Sequence, residues 1–183
     1  PFDCTILFLD IAGFTGLAER MTGEALIDLI DELFQGFDDL IARCRGTKIK
    51  TIGDAYMVVF GAPAVYADHA AQAIRAALEI LKFLHDFNRR HDHAVQMRAG
   101  IHTGRVMAGV VGKERMQFDV FGDDVNIAAR FESSGLKGRV NVSHATYLAA
   151  KNLFDFEPRG EIALKNKADM PAYFAAARKG NVP

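Results

Sequence analysis

Several things are scarce in this sequence, and each scarcity narrows the reading. Only two cysteines, Cys4 and Cys44, occur in 183 residues, far apart and in no CxxC spacing. They read as reduced thiols of a cytoplasmic domain, which excludes a disulfide framework. Charge of one sign is lacking too. With 22 Lys and Arg against 23 Asp and Glu, the formal net charge is −1. A general nucleic-acid footprint needs a clear basic excess, so no nucleic-acid polymer is expected as partner, and any anion site must be local. No apolar run approaches the length of a membrane span, and no signal peptide is present. Repeats, linkers and low-complexity tracts are missing as well. The chain opens on Pro1 and enters a strand almost at once, which reads as a domain excised from a longer parent. A sensor or membrane anchor of that parent would lie outside this sequence.

Chemical motifs with a complete pattern are also few. The stretch GVVGKER resembles a piece of a phosphate loop but has no Ser or Thr after Lys113. Ser143-His144 has no nucleophile-elbow context. The histidines of HDFNRRHDH sit at a helix end, where the helix dipole favours them.

What is present reads as one globular domain. Half of the residues are hydrophobic and 25% are charged. Thr5 to Ile11 is a buried strand. Leu26, Leu29, Ile30, Leu33, Phe34, Phe37, Leu40 and Ile41 recur in steps of three and four, one apolar helix face ended by Gly46. Lys48 to Ile52 and Ala55 to Phe60 are strands joined by a turn at Gly53-Asp54. A second helix runs from Ala70 to Phe87. Val95 to His102 and Arg105 to Val111 read as another pair of strands, followed by a short strand at Gln117 to Phe121 and a helix from Asn126. Strands at Val140 to Val142, Glu161 to Leu164 and Tyr173 to Ala176, with a helix near Ala145, finish the chain. Adjacent hairpins among helices predict an α+β fold with a mainly antiparallel sheet.

The charged positions carry two readings each. Asp10 ends the apolar run Ile6 to Leu9, so it is either a helix N-cap or a buried carboxylate that needs a cation. Asp54 is either a turn aspartate or, beside Asp10 at a neighbouring strand end, half of an oxygen-rich site suited to Mg²⁺. Lys48 and Lys50 alternate with Ile49, which predicts both lysines on one strand face. Asn126 and Arg130 share a helix face. An amide and a guanidinium there can hold a hydroxyl and a phosphate, or can simply be solvated.

Five separated stretches then agree in order: FLDIAGFT, KIKTIGDAYMVVFG, AGIHTGRVMAGVVG, FDVFGDDVNIAAR and RGEIALKNK. Together they resemble the catalytic domain of class III nucleotidyl cyclases, over essentially the whole chain from residue 1 to 183. The resemblance implies a ferredoxin-like βαββαβ core with additional strands. It also implies a head-to-tail homodimer with active sites at the interface, and two divalent ions per site, Mg²⁺ or Mn²⁺. Asp10 and Asp54 resemble the metal-binding aspartates, and Ile11 the residue whose carbonyl meets a metal. Lys50 and Asp119 resemble the pair that selects the purine. Asn126 looks like the ribose-orienting asparagine and Arg130 like the transition-state arginine. Lys165 looks like the lysine of the terminal phosphates, with Lys167 close by. A donor-only lysine and an acceptor-only aspartate complement adenine, whereas guanine inverts both edges. The family's guanylyl members carry Glu and usually Cys at those places. ATP is therefore the expected substrate, cyclised to 3′,5′-cyclic AMP and pyrophosphate. A guanylyl cyclase and a catalytically silent dimerisation or nucleotide-sensing module are the alternatives. Asp124 departs from the pattern, which often has Thr there; the carboxylate could weaken polyanion binding or could face solvent.

Overall fold

Residues Cys4 to Leu9 are buried without interruption, although a strand turns successive side chains to opposite sides. Both faces of the first strand are therefore covered. Leu7, Leu9 and Ile11 face a large core, while Cys4, Ile6 and Phe8 face a second, smaller one. The computed structural model, which describes residues 1–178, shows how the rest of the chain supplies these two layers.

The elements run β1 (Phe2–Ala12), α1 (Phe14–Arg20), α2 (Gly23–Arg43), β2 (Thr47–Ile52), β3 (Ala55–Phe60), α3 (His69–His91), β4 (Gln96–Val111), β5 (Gln117–Phe121), α4 (Asp123–Ser133), β6 (Val140–Ser143), α5 (His144–Ala150), β7 (Phe154–Ile162) and β8 (Met170–Ala177). The sheet order is β2-β3-β1-β4-β6-β8-β7, with β5 paired to β4. The first four strands with α2 and α3 form the expected βαββαβ core, and all pairs are antiparallel except β4 with β6. On one face α2 and α3 bury Leu33, Phe37, Ile74, Ile80 and Phe87 against β1, β3 and β4. On the other face α4 packs against β1 and β4.

Several local expectations change, and the strand expected at Glu161 to Leu164 is β7, which already ends at Ile162. The two strands expected between Val95 and Val111 are one continuous β4, because Thr103-Gly104 stays in register with Cys4-Thr5. The left-handed residue after α2 is Arg45 (φ 60), not Gly46, whose amide instead bonds back to the Ile41 carbonyl at 2.9 Å. The short α1 is too brief to show an apolar face in the sequence. Finally, Lys48 and Lys50 do not share a face. The β2–β3 register shifts between them, and this bulge re-aims Lys50. Lys48 reaches Asp38 of α2 at 2.9 Å.

α4 lies directly on β4 because Gly100 has no side chain. A Cβ there would stand 1.9 Å from the Glu132 backbone nitrogen and 2.4 Å from the Phe131 carbonyl carbon, which are backbone atoms of α4. Gly100→Ala is expected to cost about 3 kcal/mol by overpacking, read as a lower urea midpoint. An unchanged midpoint would mean that α4 is not seated this closely.

Candidate functional site

The candidate residues fall into three groups. The first is at the end of the central strands. β1 pairs with β3 up to Asp10↔Ala55, and Asp54 is the turn residue just beyond, after Gly53 at φ 61. This brings Asp10 and Asp54 close enough for their carboxylates to act on one another. Burial, and then the neighbouring Asp10 carboxylate, hold the Asp54 carboxyl above its ordinary value. Asp10 is not a helix cap: α1 is capped by Gly13 with no side-chain bond. Its Oδ2 instead accepts from Arg98 on β4 at 2.6 Å. Arg98 Nε also stands 3.2 Å from Glu132 Oε1 on the last turn of α4, an ion pair whose angles miss hydrogen-bond geometry. Burial, with the Asp10 charge adding and Arg98 opposing, pushes Glu132 up to about 7.

Three carboxylates around one guanidinium are an anionic, oxygen-rich centre. Among the described residues no set of three or more His, Cys, Asp or Glu forms a metal cage. Asp10 and Asp54 nonetheless fit a hard divalent cation. Their oxygens are adjacent, and their proximity already makes holding both as anions costly, a cost that a cation removes. Mg²⁺ sites of this kind use one or two carboxylates and complete the shell with substrate phosphates and water. Ile11 lies just past the end of the β3 ladder and is buried. Sequence reasoning missed Arg98 and Glu132. The visible signal was a lone charge inside the apolar strand at QMRAGIH.

The second group is Lys50 with Asp119. Lys50 Nζ donates to Asp119 Oδ2 at 2.7 Å, and the two side chains are 36% and 15% exposed. β5 folds over β2 to make this contact, tied by Gln117 Nε2 donating to the Ile49 carbonyl at 2.9 Å. The Val120 amide donates to the other Asp119 oxygen at 2.8 Å, which fixes the carboxylate plane.

The third group lines a cavity of about 510 Å³, the space of a small-molecule site. Asn126 and Arg130 enter it from α4, Lys165 and Lys167 from the loop after β7. Arg130 Nε donates to the Ala163 carbonyl at 3.1 Å, which anchors the guanidinium against that loop. Lys167 is ion-paired with Asp123, whereas Lys165 has no ion pair or hydrogen bond among the described residues. Neither Asp10 nor Asp54 lines this cavity.

Asp124 does not face solvent, as one of the two alternatives had it. Its carboxylate turns inward, accepting from the Arg105 amide at 2.7 Å and contacting His102 Nε2 at 2.9 Å.

Comparison with known proteins agrees with this architecture. The family described as "Adenylate and Guanylate cyclase catalytic domain" matches residues 2–177. Receptor-type guanylate cyclase gcy-28 of Caenorhabditis elegans is 38% identical over 97% of this chain, which spans only 14% of that protein. The guanylate cyclase domain of RhGC from Catenaria anguillulae, solved with GTP, superposes with a TM-score of 0.92 at 34% identity, covering 97% of this chain and 98% of that one. The adenylyl cyclase CyaB from P. aeruginosa superposes with a TM-score of 0.93 at 29% identity, covering 100% and 97%. Sequence relatives are mostly guanylyl cyclases, and similar structures include both kinds. Among the described residues no helix is long and apolar enough to cross a membrane.

Proposed function

This chain belongs to the adenylate and guanylate cyclase catalytic-domain family, and from that premise we propose that it is an adenylyl cyclase. It would be the single catalytic domain, residues 1–183, of a longer protein. The observation that carries the choice of ATP is the Lys50–Asp119 pair at 2.7 Å. Lys50 donates only and an ionised Asp119 accepts only. Side by side, they match the N1 acceptor and N6 donor of adenine. Guanine would set its N1–H against the Lys50 ammonium and its O6 against the Asp119 carboxylate. Leaving buried polar groups so mismatched can discriminate by roughly 10⁴-fold.

Asp10 and Asp54, with the Ile11 carbonyl, would hold the divalent ions, Mg²⁺ or Mn²⁺. Bound there, the metal would supply a more acidic ribose 3′-OH and charge neutralisation on the phosphates. Uptake at Asp10 competes with its bond to Arg98. Asn126 orients the ribose so that the 3′-oxygen attacks the α-phosphorus in line with departing pyrophosphate. Arg130 offsets charge that grows on the α-phosphoryl oxygens. Lys165, unpaired within the cavity, meets the terminal phosphates, while Lys167 stays on Asp123.

One chain carries all these residues but keeps Asp10 and Asp54 out of the cavity of Asn126 and Arg130. A head-to-tail homodimer would complete two equal sites by joining the metal pair of one protomer to the cavity of its partner. Exposed apolar side chains on the β4–β5 arm support a covered surface there: Met107, Val110 and Met116 are 58%, 65% and 78% exposed. The test is an assay with Mn²⁺ and either ATP or GTP over a range of protein concentrations. Cyclic AMP from ATP is expected, with specific activity rising with concentration. Cyclic GMP as the main product would overturn the assignment of Lys50 and Asp119.

A further inference from the structure

Asp124 is the second residue of α4, where an acidic side chain usually faces solvent and gains from the helix dipole. Here it turns into the sheet. It can do so only because Gly104 lacks a side chain: a Cβ there would lie 2.4 Å from the Asp124 carboxyl carbon. One oxygen takes the Arg105 amide and the other meets His102. His102 is 4% exposed, and its ring lies parallel to Phe131 of α4 at 6.3 Å. Both ends of the helix segment that carries Asn126 and Arg130 are thus registered on β4, by Asp124 at its start and by Phe131 against His102 at its close.

The contact does not stop at His102. Its Nδ1 lies 2.8 Å from Ser143 Oγ, and Ser143 Oγ lies 3.2 Å from Thr146 Oγ1. Thr146 Oγ1 is 3.0 Å from Thr103 Oγ1, Thr103 is 2.8 Å from Thr5 Oγ1, and Thr5 is 2.8 Å from His69 Nδ1. Thr5, Ser143 and Thr146 are completely buried. His69, at the first position of α3, is half-buried.

The direction of this chain is determined from one end. An ionised carboxylate only accepts, so His102 must carry its proton on Nε2. Burial lowers the His102 pKa and favours the neutral ring, whose Nδ1 is then an acceptor. Ser143 must donate to it. Each hydroxyl has a single proton, so Thr146 donates to Ser143, Thr103 to Thr146, and Thr5 to Thr103. Thr5 is left to accept, and His69 must donate from Nδ1. A satisfied one-way chain of this kind strengthens each member.

We propose that Asp124 is a positioning residue that His102 clamps to set the seat of α4, and that the relay through Ser143, Thr146, Thr103 and Thr5 makes the tautomer of His69 report on that clamp. The positioning role rests on the cyclase reading of Asn126 and Arg130; the relay does not.

Nitrogen-15 NMR of the whole domain, without nucleotide and at pH 8, tests the relay. The expected signals are an Nε2–H tautomer for His102 and an Nδ1–H tautomer for His69. Asp124→Asn should reverse both. The Arg105 amide still needs an acceptor, so the new side chain turns its oxygen there and its NH₂ to His102 Nε2. His102 then holds its proton on Nδ1, every hydroxyl reverses, and His69 becomes Nε2–H. Thr103→Val should cut the relay in the middle, leaving His102 as Nε2–H and freeing His69 from Asp124. An Nδ1–H tautomer at His102 in the unmodified protein, or a His69 tautomer indifferent to both substitutions, would overturn the relay. The clamp is read separately, with whichever of ATP and GTP is turned over. Asp124→Ala should lower kcat by about tenfold or more while KM stays within about threefold, since a small misplacement of reacting groups costs turnover before binding. Asp124→Asn, which keeps both contacts, should restore most of the kcat. Equal kcat in Asp124→Ala and the unmodified protein would overturn the clamp.

Discussion

Asp54→Ala and Arg130→Ala, each inactive alone, are expected to recover activity when mixed. Asp54 supplies one of two adjacent carboxylates of the proposed metal pair. Its loss should lower turnover by about 10³-fold or more, because the metal contributes both to the nucleophile and to phosphate charge. Arg130 lines the separate cavity. Its loss should cost about 10²- to 10³-fold in kcat, the range for removing a group that meets charge only in the transition state, with less effect on KM. In a head-to-tail heterodimer of the two variants, one site inherits both defects and the other inherits neither. Random re-association would make half of the dimers mixed and restore about a quarter of the original specific activity. Mixed dimers confirmed by differential tagging but still inactive would rule out sites shared between protomers.

The second large effect concerns the proposed purine-reading pair, Lys50 and Asp119. Replacing Lys50 by Glu and Asp119 by Cys together should move preference from ATP to GTP. A glutamate accepts from guanine N1–H, where the ammonium of Lys50 could only oppose it. Removing the aspartate takes a carboxylate away from guanine O6. The ratio of kcat/KM for ATP over GTP should fall by about 10³-fold or more, within the range available when a polar pocket is matched or mismatched. Lys50→Glu alone should impair both substrates, because it sets two carboxylates in the place of a 2.7 Å ion pair. A ratio that does not move in the double variant would mean that another group reads the purine.

Much of this was open to sequence reasoning because it is local. Period-two and period-3.6 apolar patterns are properties of neighbouring residues, and they located α2, α3 and most strands. The Gly53-Asp54 turn was legible for the same reason. The boundaries that failed did so for physical causes. β4 looked like two strands because Thr103 and Gly104 interrupt its apolar pattern, yet both stay in register with β1. The lysines of β2 were assigned to one face because alternation assumes a regular strand, and a bulge breaks it.

The amino-acid sequence by itself determined the family, the α+β class with its mainly antiparallel sheet, and which residues are candidates for the chemistry, since each of those is written in local patterns and short contiguous motifs. Tertiary structure alone decided their partners. Lys50 meets Asp119 across 69 positions, Arg98 meets Asp10 across 88, and Asp124 turns inward to His102. A charged residue in a strand or a first helical turn looks solvated until the opposite strand and its register are known. Those depend on how two cores pack against one sheet, and on glycines at 100 and 104 that let α4 lie against β4. Packing of that kind is a property of the whole chain, and no short motif encodes it.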